Sequence, residues 1–180
     1  MTPAVRESKP SHGPVTCISS PSIVTLISSL LVLQMDTAPH VEVRVTQRFS
    51  AAPDRVFDAW LDPRMAGKWL FATAWRPMSG VTIDARVGGS FHFEERRDGM
   101  CVIQAGRYVE IARPRRLVFT LSSEKRPQGI RVRVAIVPLE TGCEISVVQE
   151  SVLPGDAIST EGRWSGMLYG LAALLGQPGG

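Results

Sequence analysis

The sequence holds few side chains that could ligate a metal or act as a nucleophile. It has three cysteines and three histidines among 180 residues. Cys17, Cys101 and Cys143 stand far apart, without the paired spacing that holds zinc or builds a disulfide framework. Two of the histidines lie at or before His40, so no Ser/His/Asp set can be assembled. We therefore predict no metal and no cofactor, and scattered cysteines of odd number are typical of a reduced, cytoplasmic protein.

Long hydrophobic runs and clusters of one charge sign are missing as well. The apolar run Ile23–Leu33 is interrupted by serines and is shorter than the ~20 residues that a membrane-spanning helix needs. The 20 basic and 17 acidic residues are interspersed, so no basic stripe is available to track a phosphate backbone. The sequence therefore predicts neither a membrane partner nor a nucleic-acid partner.

The composition that remains is that of a globular domain. Apolar residues make up 44% and charged residues 21% of the chain, far from the mix of disordered proteins. Residues 1–34, rich in Ser, Thr and Pro, differ from the rest. We expect them to be a disordered tail or a weak signal-like segment. The third alternative is that the start is mis-assigned and that the protein begins at Met35. We expect a single domain over residues 40–176.

From His40 onward the hydrophobic period predicts an α+β domain. Residues 41–49 alternate apolar and polar side chains, which is typical of a half-buried antiparallel strand. Two short helices follow, the first stopped at Asp62-Pro63 and the second ending near Trp69. A longer helix is predicted over 161–175, with one apolar stripe formed by Trp164, Met167, Leu168, Leu171 and Leu175. Between the helices, turn residues separate six further predicted strands: 81–87, 90–96, 101–111, 116–121, 130–137 and 143–150.

Alternation also predicts which strand residues face the core. Arg131 and Arg133 must face water, so Val132, Val134 and Ile136 face inward. The same rule turns Gln149 inward in the strand at 143–150, together with Ile145 and Val147, and it places Gln47 on the inward face of the strand at 41–49. The strand around Gly106 is compatible with either phase, and both phases stay open.

Four segments in chain order resemble a known family. "FSAAPDRVFDAWLDPRMAGKWL", "ARVGGSFHFEERRDG", "GRYVEIARPRRLVFTL" and "EGRWSGMLYGLAALL" are similar to successive signatures of the bacterial homologues of the heat-shock-90 ATPase activator. That family lies within the START/polyketide cyclase-like (SRPBCC) superfamily, and the resemblance covers about residues 40–176. It implies the helix-grip (START/Bet v-like) fold: a seven-stranded curved antiparallel sheet wrapped around a long C-terminal helix, with two short helices after strand 1.

The resemblance implies a cavity between the sheet and the C-terminal helix that takes a small hydrophobic molecule. "FATAWRP" departs from the family by carrying Phe71 where relatives often have Trp followed closely by Gly-Pro, so ligand identity is not inherited. On the helix, Gly166 and Gly170 predict a close approach to the sheet. The candidate cavity residues are Gln47, Trp69, Phe71, Trp75, Phe91, Phe93, Tyr108, Phe119, Gln149, Trp164, Met167, Leu168 and Leu171.

Other interpretations of these residues stay open. The large side chains could be plain core, and the two inward glutamines could pair with each other, with backbone or with water. A protein partner is the second function class, because the family's eukaryotic namesake is a co-chaperone that acts on an ATPase. A cyclase or dehydratase acting on a polyketide-like substrate is the third. The oligomeric state is left open.

The sequence assigns no catalytic residue. His92 lies between two inward phenylalanines and so faces outward. Glu94 and Glu95 are adjacent on a strand and point to opposite faces, which excludes a paired acid and base. Glu95 shares the face of Phe91 and Phe93, so it is either an inward carboxylate that an enzyme of the third class could use or a rim residue where the strand leaves the core. Cys143 alternates with inward residues and is interpreted as core.

Overall fold

The computed structural model describes residues 39–72, 78–97, 100–123 and 126–176. The tail interpretation of residues 1–34 and the predicted site residue Trp75 therefore lie outside the described residues, and both stay predictions. The elements run in the order β1 (Val41–Phe49), α1 (Pro53–Asp58), α2 (Pro63–Trp69), β2 (Gly80–Ile83), β3 (Ser90–Arg97), β4 (Met100–Ala112), β5 (Arg116–Ser123), β6 (Arg126–Pro138), β7 (Cys143–Val152), a 3₁₀ turn (Pro154–Asp156) and α3 (Ala157–Gly176).

The strands form one curved antiparallel sheet, as predicted, in the order β1-β7-β6-β5-β4-β3-β2. Strands β2 to β7 are a meander, since each pairs with its successor. β1 then joins the far edge by pairing with β7. α3 packs against β1 and β7, and α2 packs against β2 and α3. The core consequently lies between the inner face of the sheet and the helices.

The two short helices depend on burial for their stability. Both begin at a proline in the first helical position, and the Asp62 carboxylate accepts a hydrogen bond from the Arg64 backbone N–H at 2.8 Å. Helices of six or seven residues are unstable in isolation. Val56 and Phe57 of α1 are fully buried, so the core holds this helix in place.

An ion-pair cluster fixes α1 to the turn between β4 and β5. The Arg113 guanidinium donates to both carboxylate oxygens of Asp58, at 2.7 and 2.8 Å, and lies 2.9 Å from the Asp54 carboxylate. The hydrogen bond from Arg113 holds the pKa of the Asp58 carboxyl below its usual value. This cluster orients the helix whose C-terminal end leads into Trp60.

Two predicted strand limits were wrong. The strand predicted over 81–87 ends at Ile83, because the Asp84 N–H bonds to the Ser90 carbonyl and starts a turn. Residues 127–129, which were predicted to connect the strands at 116–121 and 130–137, lie instead within β6. There the β5–β6 pairing is irregular between Leu121 and Ser123, and a bulge of this kind absorbs residues that would otherwise end a strand.

The structure shows which residues of β4 face the core, a point on which the sequence allowed two alternatives. The pairing with β5 shifts between Tyr108 and Glu110, and this bulge reverses which residues face the core. Tyr108 is 4% exposed before the shift, and Ile111 packs against the core after it, whereas Val109 is 42% exposed. β4 therefore uses one phase on each side of the bulge.

The C-terminal helix buries one stripe, as predicted. Trp164, Leu168, Leu171 and Leu175 are buried, and Met167 is half-buried. Among the described residues, no helix combines the length and the apolar character needed to cross a membrane.

The prediction for the helix glycines was wrong. A Cβ at Gly166 would meet nothing within 4 Å, and one at Gly170 would only touch the Trp69 Cβ at 4.0 Å. Gly166 is exposed, so these glycines lie away from the sheet. The four-residue spacing could not show on which side of the helix the sheet would lie.

Candidate functional site

A cluster of aromatic rings lies on the inner face of β3, β4 and β5. The Phe91 ring packs against Phe93, Tyr108 and Phe119 at centroid distances of 5.9, 5.2 and 5.6 Å. Phe71 extends the cluster by an edge contact with Phe93 at 5.2 Å. Such edge and tilted contacts are the favoured geometries of aromatic pairs. The cluster therefore forms a continuous aromatic wall.

Glycine at position 106 makes the central part of this wall possible. Phe91 and Gly106 are directly paired across β3 and β4. A Cβ at Gly106 would lie 2.4 Å from the Phe91 ring and closer still to the Thr120 carbonyl. Only the missing side chain lets the ring lie over the neighbouring strand.

A second group of rings comes from the helices and meets the first at Phe119. Trp60 contacts Trp69 edge-on at 4.7 Å, stacks on Trp164 at 6.3 Å and lies 6.1 Å from Phe119. Trp60 follows α1, Trp69 ends α2 and Trp164 lies on α3. Trp60 thus joins all three helices to the sheet.

Where the two groups meet there is a small cavity of about 10 Å³ between buried side chains. Its lining is nearly all apolar, and its volume is about what one water molecule needs. Six side chains line it: Trp60, Leu70, Phe91, Tyr108, Leu117 and Phe119.

The three buried tryptophans differ in how their indole N–H groups are bonded. Trp69 Nε1 donates to the Ala59 carbonyl at 3.1 Å, and Trp164 Nε1 donates to Gln149 Oε1 at 2.8 Å. Trp60 is 1% exposed, yet no described residue accepts a hydrogen bond from its Nε1. A buried donor left in this state costs about 1 to 3 kcal/mol.

The two predicted inward glutamines have protein partners. Gln149 is 8% exposed and accepts the hydrogen bond from Trp164. Gln47 is half-buried, and its Nε2 donates to the Arg48 carbonyl at 3.3 Å. Gln149 therefore connects β7 to α3, while Gln47 bonds locally on β1.

The backbone beside the cavity is strained at Phe71. This residue has φ +60°, a conformation that costs a non-glycine residue about 1 to 2 kcal/mol. Its N–H donates to the Met167 sulfur at 3.1 Å. The strained residue directly follows Leu70, which is part of the cavity wall.

Burial also changes two titratable groups. Desolvation raises the pKa of the Tyr108 hydroxyl, so this wall residue is neutral at physiological pH. The same cause raises the pKa of the Cys143 thiol, whose Sγ lies 3.6 Å from the Ala51 carbonyl oxygen. Cys143 is completely buried, as expected for a small core residue.

The sequence predicted part of the cavity wall. Phe91, Tyr108 and Phe119 line it, and their role in binding stays a prediction. Most of the other candidates pack around these three in the same core: Trp69, Phe71, Phe93, Trp164, Met167, Leu168 and Leu171. Sequence reasoning missed Trp60, Leu70 and Leu117, because inward position alone does not distinguish a cavity wall from its surroundings.

No catalytic cluster is found in the described ranges. His92 and Glu94 are exposed, and Glu95 is half-buried. Within residues 39–72, 78–97, 100–123 and 126–176, no three His, Cys, Asp or Glu side chains lie close enough to hold a metal ion. The arrangement found is suited to apolar contact with one hydrogen-bond donor.

A protein-family model matches most of the chain. The model of the family described as "Activator of Hsp90 ATPase homolog 1-like protein" matches residues 50–176. A search of curated proteins finds no match.

Solved structures share the fold. A protein from Chromobacterium violaceum is 29% identical, with a TM-score of 0.68 over 76% of this chain and 98% of that one. The AHSA1-like protein from Aeromonas hydrophila is 19% identical, with a TM-score of 0.65 over 78% and 99%. The Aha1 dimer from Colwellia psychrerythraea is 12% identical, with a TM-score of 0.62 over 75% and 96%. The matches span nearly the whole of each of these proteins.

Proposed function

Because the chain belongs to the Activator of Hsp90 ATPase homolog 1-like family, we propose that it binds a small hydrophobic molecule between the sheet and α3. The proposal rests on the buried apolar cavity where the two groups of rings meet. Aromatic and aliphatic walls with few polar groups are the usual lining of small-molecule sites. The ligand would occupy an enlarged form of this cavity.

Enlargement has a structural route through Leu70 and Phe71. A return of Phe71 to an extended backbone releases its strain and carries the adjoining Leu70 out of the wall. Met167, which accepts the Phe71 N–H, has an unbranched side chain that adapts to new neighbours. Release of this strain would offset part of the cost of moving Leu70, and binding of an apolar molecule would supply the rest.

The test uses the full chain and toluene as the apolar probe. Native mass spectrometry of freshly purified protein should show a co-purifying mass. Toluene should raise the melting temperature, since a ligand at 100 times its Kd adds about 2.7 kcal/mol of stability. Leu70→Phe fills the cavity and should abolish the rise.

Leu175→Phe is the matched control, because it enlarges a buried leucine at the far end of α3. It should keep the toluene response. An unchanged melting temperature for the wild-type chain, together with no co-purifying mass, contradicts the proposal. A response equal in Leu70→Phe and wild type places the binding elsewhere.

A protein partner on the outer sheet face has weaker support. Arg48 is paired with Glu144 at 3.0 Å, and Arg133 is paired with Glu42 and Glu150, each at 2.8 Å. Charges satisfied within the sheet have less to gain from a partner. The cyclase alternative is supported by no more than the half-buried Glu95.

We propose that the protein binds its ligand in the cytoplasm. Cys101 is an exposed free thiol and Cys143 a buried one. Thiols of this kind persist where the glutathione and thioredoxin systems keep them reduced.

A further inference from the structure

We propose that the indole N–H of Trp60 selects the ligand, which is then an uncharged, flat apolar molecule carrying one carbonyl-type acceptor. The inference rests on the proposed function, because it assigns the ligand class of the same cavity. It names a specificity determinant that hydrophobic patterning does not reveal.

The first support is the contrast between Trp60 and its two buried neighbours. Trp69 and Trp164 each have a protein acceptor, at 3.1 and 2.8 Å. Trp60 has none among the described residues, although it is as deeply buried and lines the cavity. Buried donors in native proteins are nearly always satisfied, and the described residues supply no acceptor here, so we assign that role to the bound ligand.

Water is a poor occupant of this position. A buried water needs two to four polar partners, and the wall is nearly all apolar. A ligand carbonyl needs only the one donor, and its hydrocarbon part is accommodated by the surrounding rings. The site therefore favours an apolar molecule with an acceptor over a solvent molecule.

The wall also excludes a charged ligand. None of its six residues carries a positive charge, and Tyr108 within it is neutral. A carboxylate or phosphate would lose its hydration without gaining a counter-ion. The rings of Phe91, Phe119 and Trp60 offer flat surfaces, which suit a planar group.

Two probes of matched shape test the inference. Acetophenone and α-methylstyrene are isosteric and flat, and they differ in a carbonyl oxygen in place of a methylene group. Both are titrated into the full chain, and the Kd of each is measured by NMR. The wild-type preference for acetophenone should fall by about fivefold in Trp60→Phe, which removes the donor and keeps a ring. Trp69→Phe, which removes a satisfied donor, should keep the preference.

The wild-type protein gives a readout that needs no variant. Acetophenone should move the Trp60 indole proton downfield, as a new hydrogen bond does, and more strongly than α-methylstyrene. The indole protons of Trp69 and Trp164, which already have partners, should show no such difference between the probes.

If neither probe binds although toluene raises the melting temperature, the cavity binds ligands but the role of Trp60 is wrong; if toluene has no effect either, the proposed function is wrong as well. If both bind and the preference is equal in wild type and Trp60→Phe, the cavity binds ligands but Trp60 does not select them. Loss of the preference in Trp69→Phe as well also contradicts a specific role for Trp60.

Discussion

The two faces of the sheet are stabilised by different interactions. On the inner face, Phe93, Val132 and Ile145 are completely buried among rings and aliphatic side chains. On the outer face, arginines and glutamates pair across β1, β7 and β6, as in the bridge between Arg48 and Glu144. The inner face therefore depends on shape and burial, and the outer face on charges of opposite sign.

The outer face also buries apolar area, although on a smaller scale. Val118 is 3% and Val148 5% exposed, and Arg133 lies between them in the strand register. The aliphatic part of an arginine can cover such residues while its charge stays in water. Arg48 and Arg133 on the outer face are thus paired within the sheet, whereas the core beneath the inner face retains the Trp60 donor, which has no described acceptor.

The largest expected effect comes from the inner face. Leu168→Ala removes a fully buried side chain of α3 and should lower the free energy of unfolding by about 2 to 5 kcal/mol, because a cavity remains. Ile158→Ala on the same helix, where the side chain is 85% exposed, should change it by less than about 0.5 kcal/mol. Urea unfolding measures both, and equal losses would break the comparison.

A smaller loss is expected when Gln149 is replaced by methionine. The change leaves Trp164 Nε1 without the acceptor that it has at 2.8 Å, which should cost about 1 to 3 kcal/mol. Gln47→Met is the matched control, since Gln47 is only half-buried and bonds to a neighbouring carbonyl. A control that loses as much stability in urea unfolding as Gln149→Met would remove the special role of the inner hydrogen bond.

Alkaline pH should lower the stability of the protein through the buried Tyr108. Burial raises the Tyr108 pKa, so the unfolded chain releases this proton first. Its contribution is fully present below the unfolded pKa of about 10 and is lost above it, by up to about 1.4 kcal/mol per pH unit. Tyr108→Phe should flatten this fall in unfolding experiments, and a slope that stays unchanged in this variant would contradict the assignment to Tyr108.

The smallest effect is expected on the outer face. Arg133→Met removes the bridges to Glu42 and Glu150 and keeps most of the side-chain stem. Exposed ion pairs contribute less than about 1 kcal/mol, so the loss should stay within that value. It should shrink further in 1 M NaCl, where charges are screened. A loss above 2 kcal/mol that resists salt would place the outer face on a par with the inner one.

The order and type of the elements could be predicted from the sequence. Alternation in "VEVRVTQRF" and "IRVRVAIV" identified β1 and β6, and the inward positions of Val132, Val134 and Ile136 are confirmed by their burial. These signals are local, because the two-residue period of a strand is written into consecutive residues. The end of the second short helix near Trp69 was also predicted correctly, whereas the first ends at Asp58, before the stop predicted at Asp62-Pro63.

The details of the candidate site could not be predicted. Gly166 and Gly170 show why, because their spacing indicates a bare helix side without indicating what lies opposite. The bulge in β4 likewise depends on its pairing with β5. The cavity wall combines Trp60, Leu117 and other residues from separate elements, and no single segment contains that information.

The sequence by itself determined the α+β class, the inward faces of β6 and β7 and the hydrophobic stripe of α3, since each follows from the periodicity of neighbouring residues. Only the tertiary structure decided which buried donors find acceptors. Trp164 reaches Gln149, 15 residues away on another element, and Trp69 reaches Ala59. Trp60 reaches no described acceptor, because hydrogen-bond partners depend on how distant segments pack together.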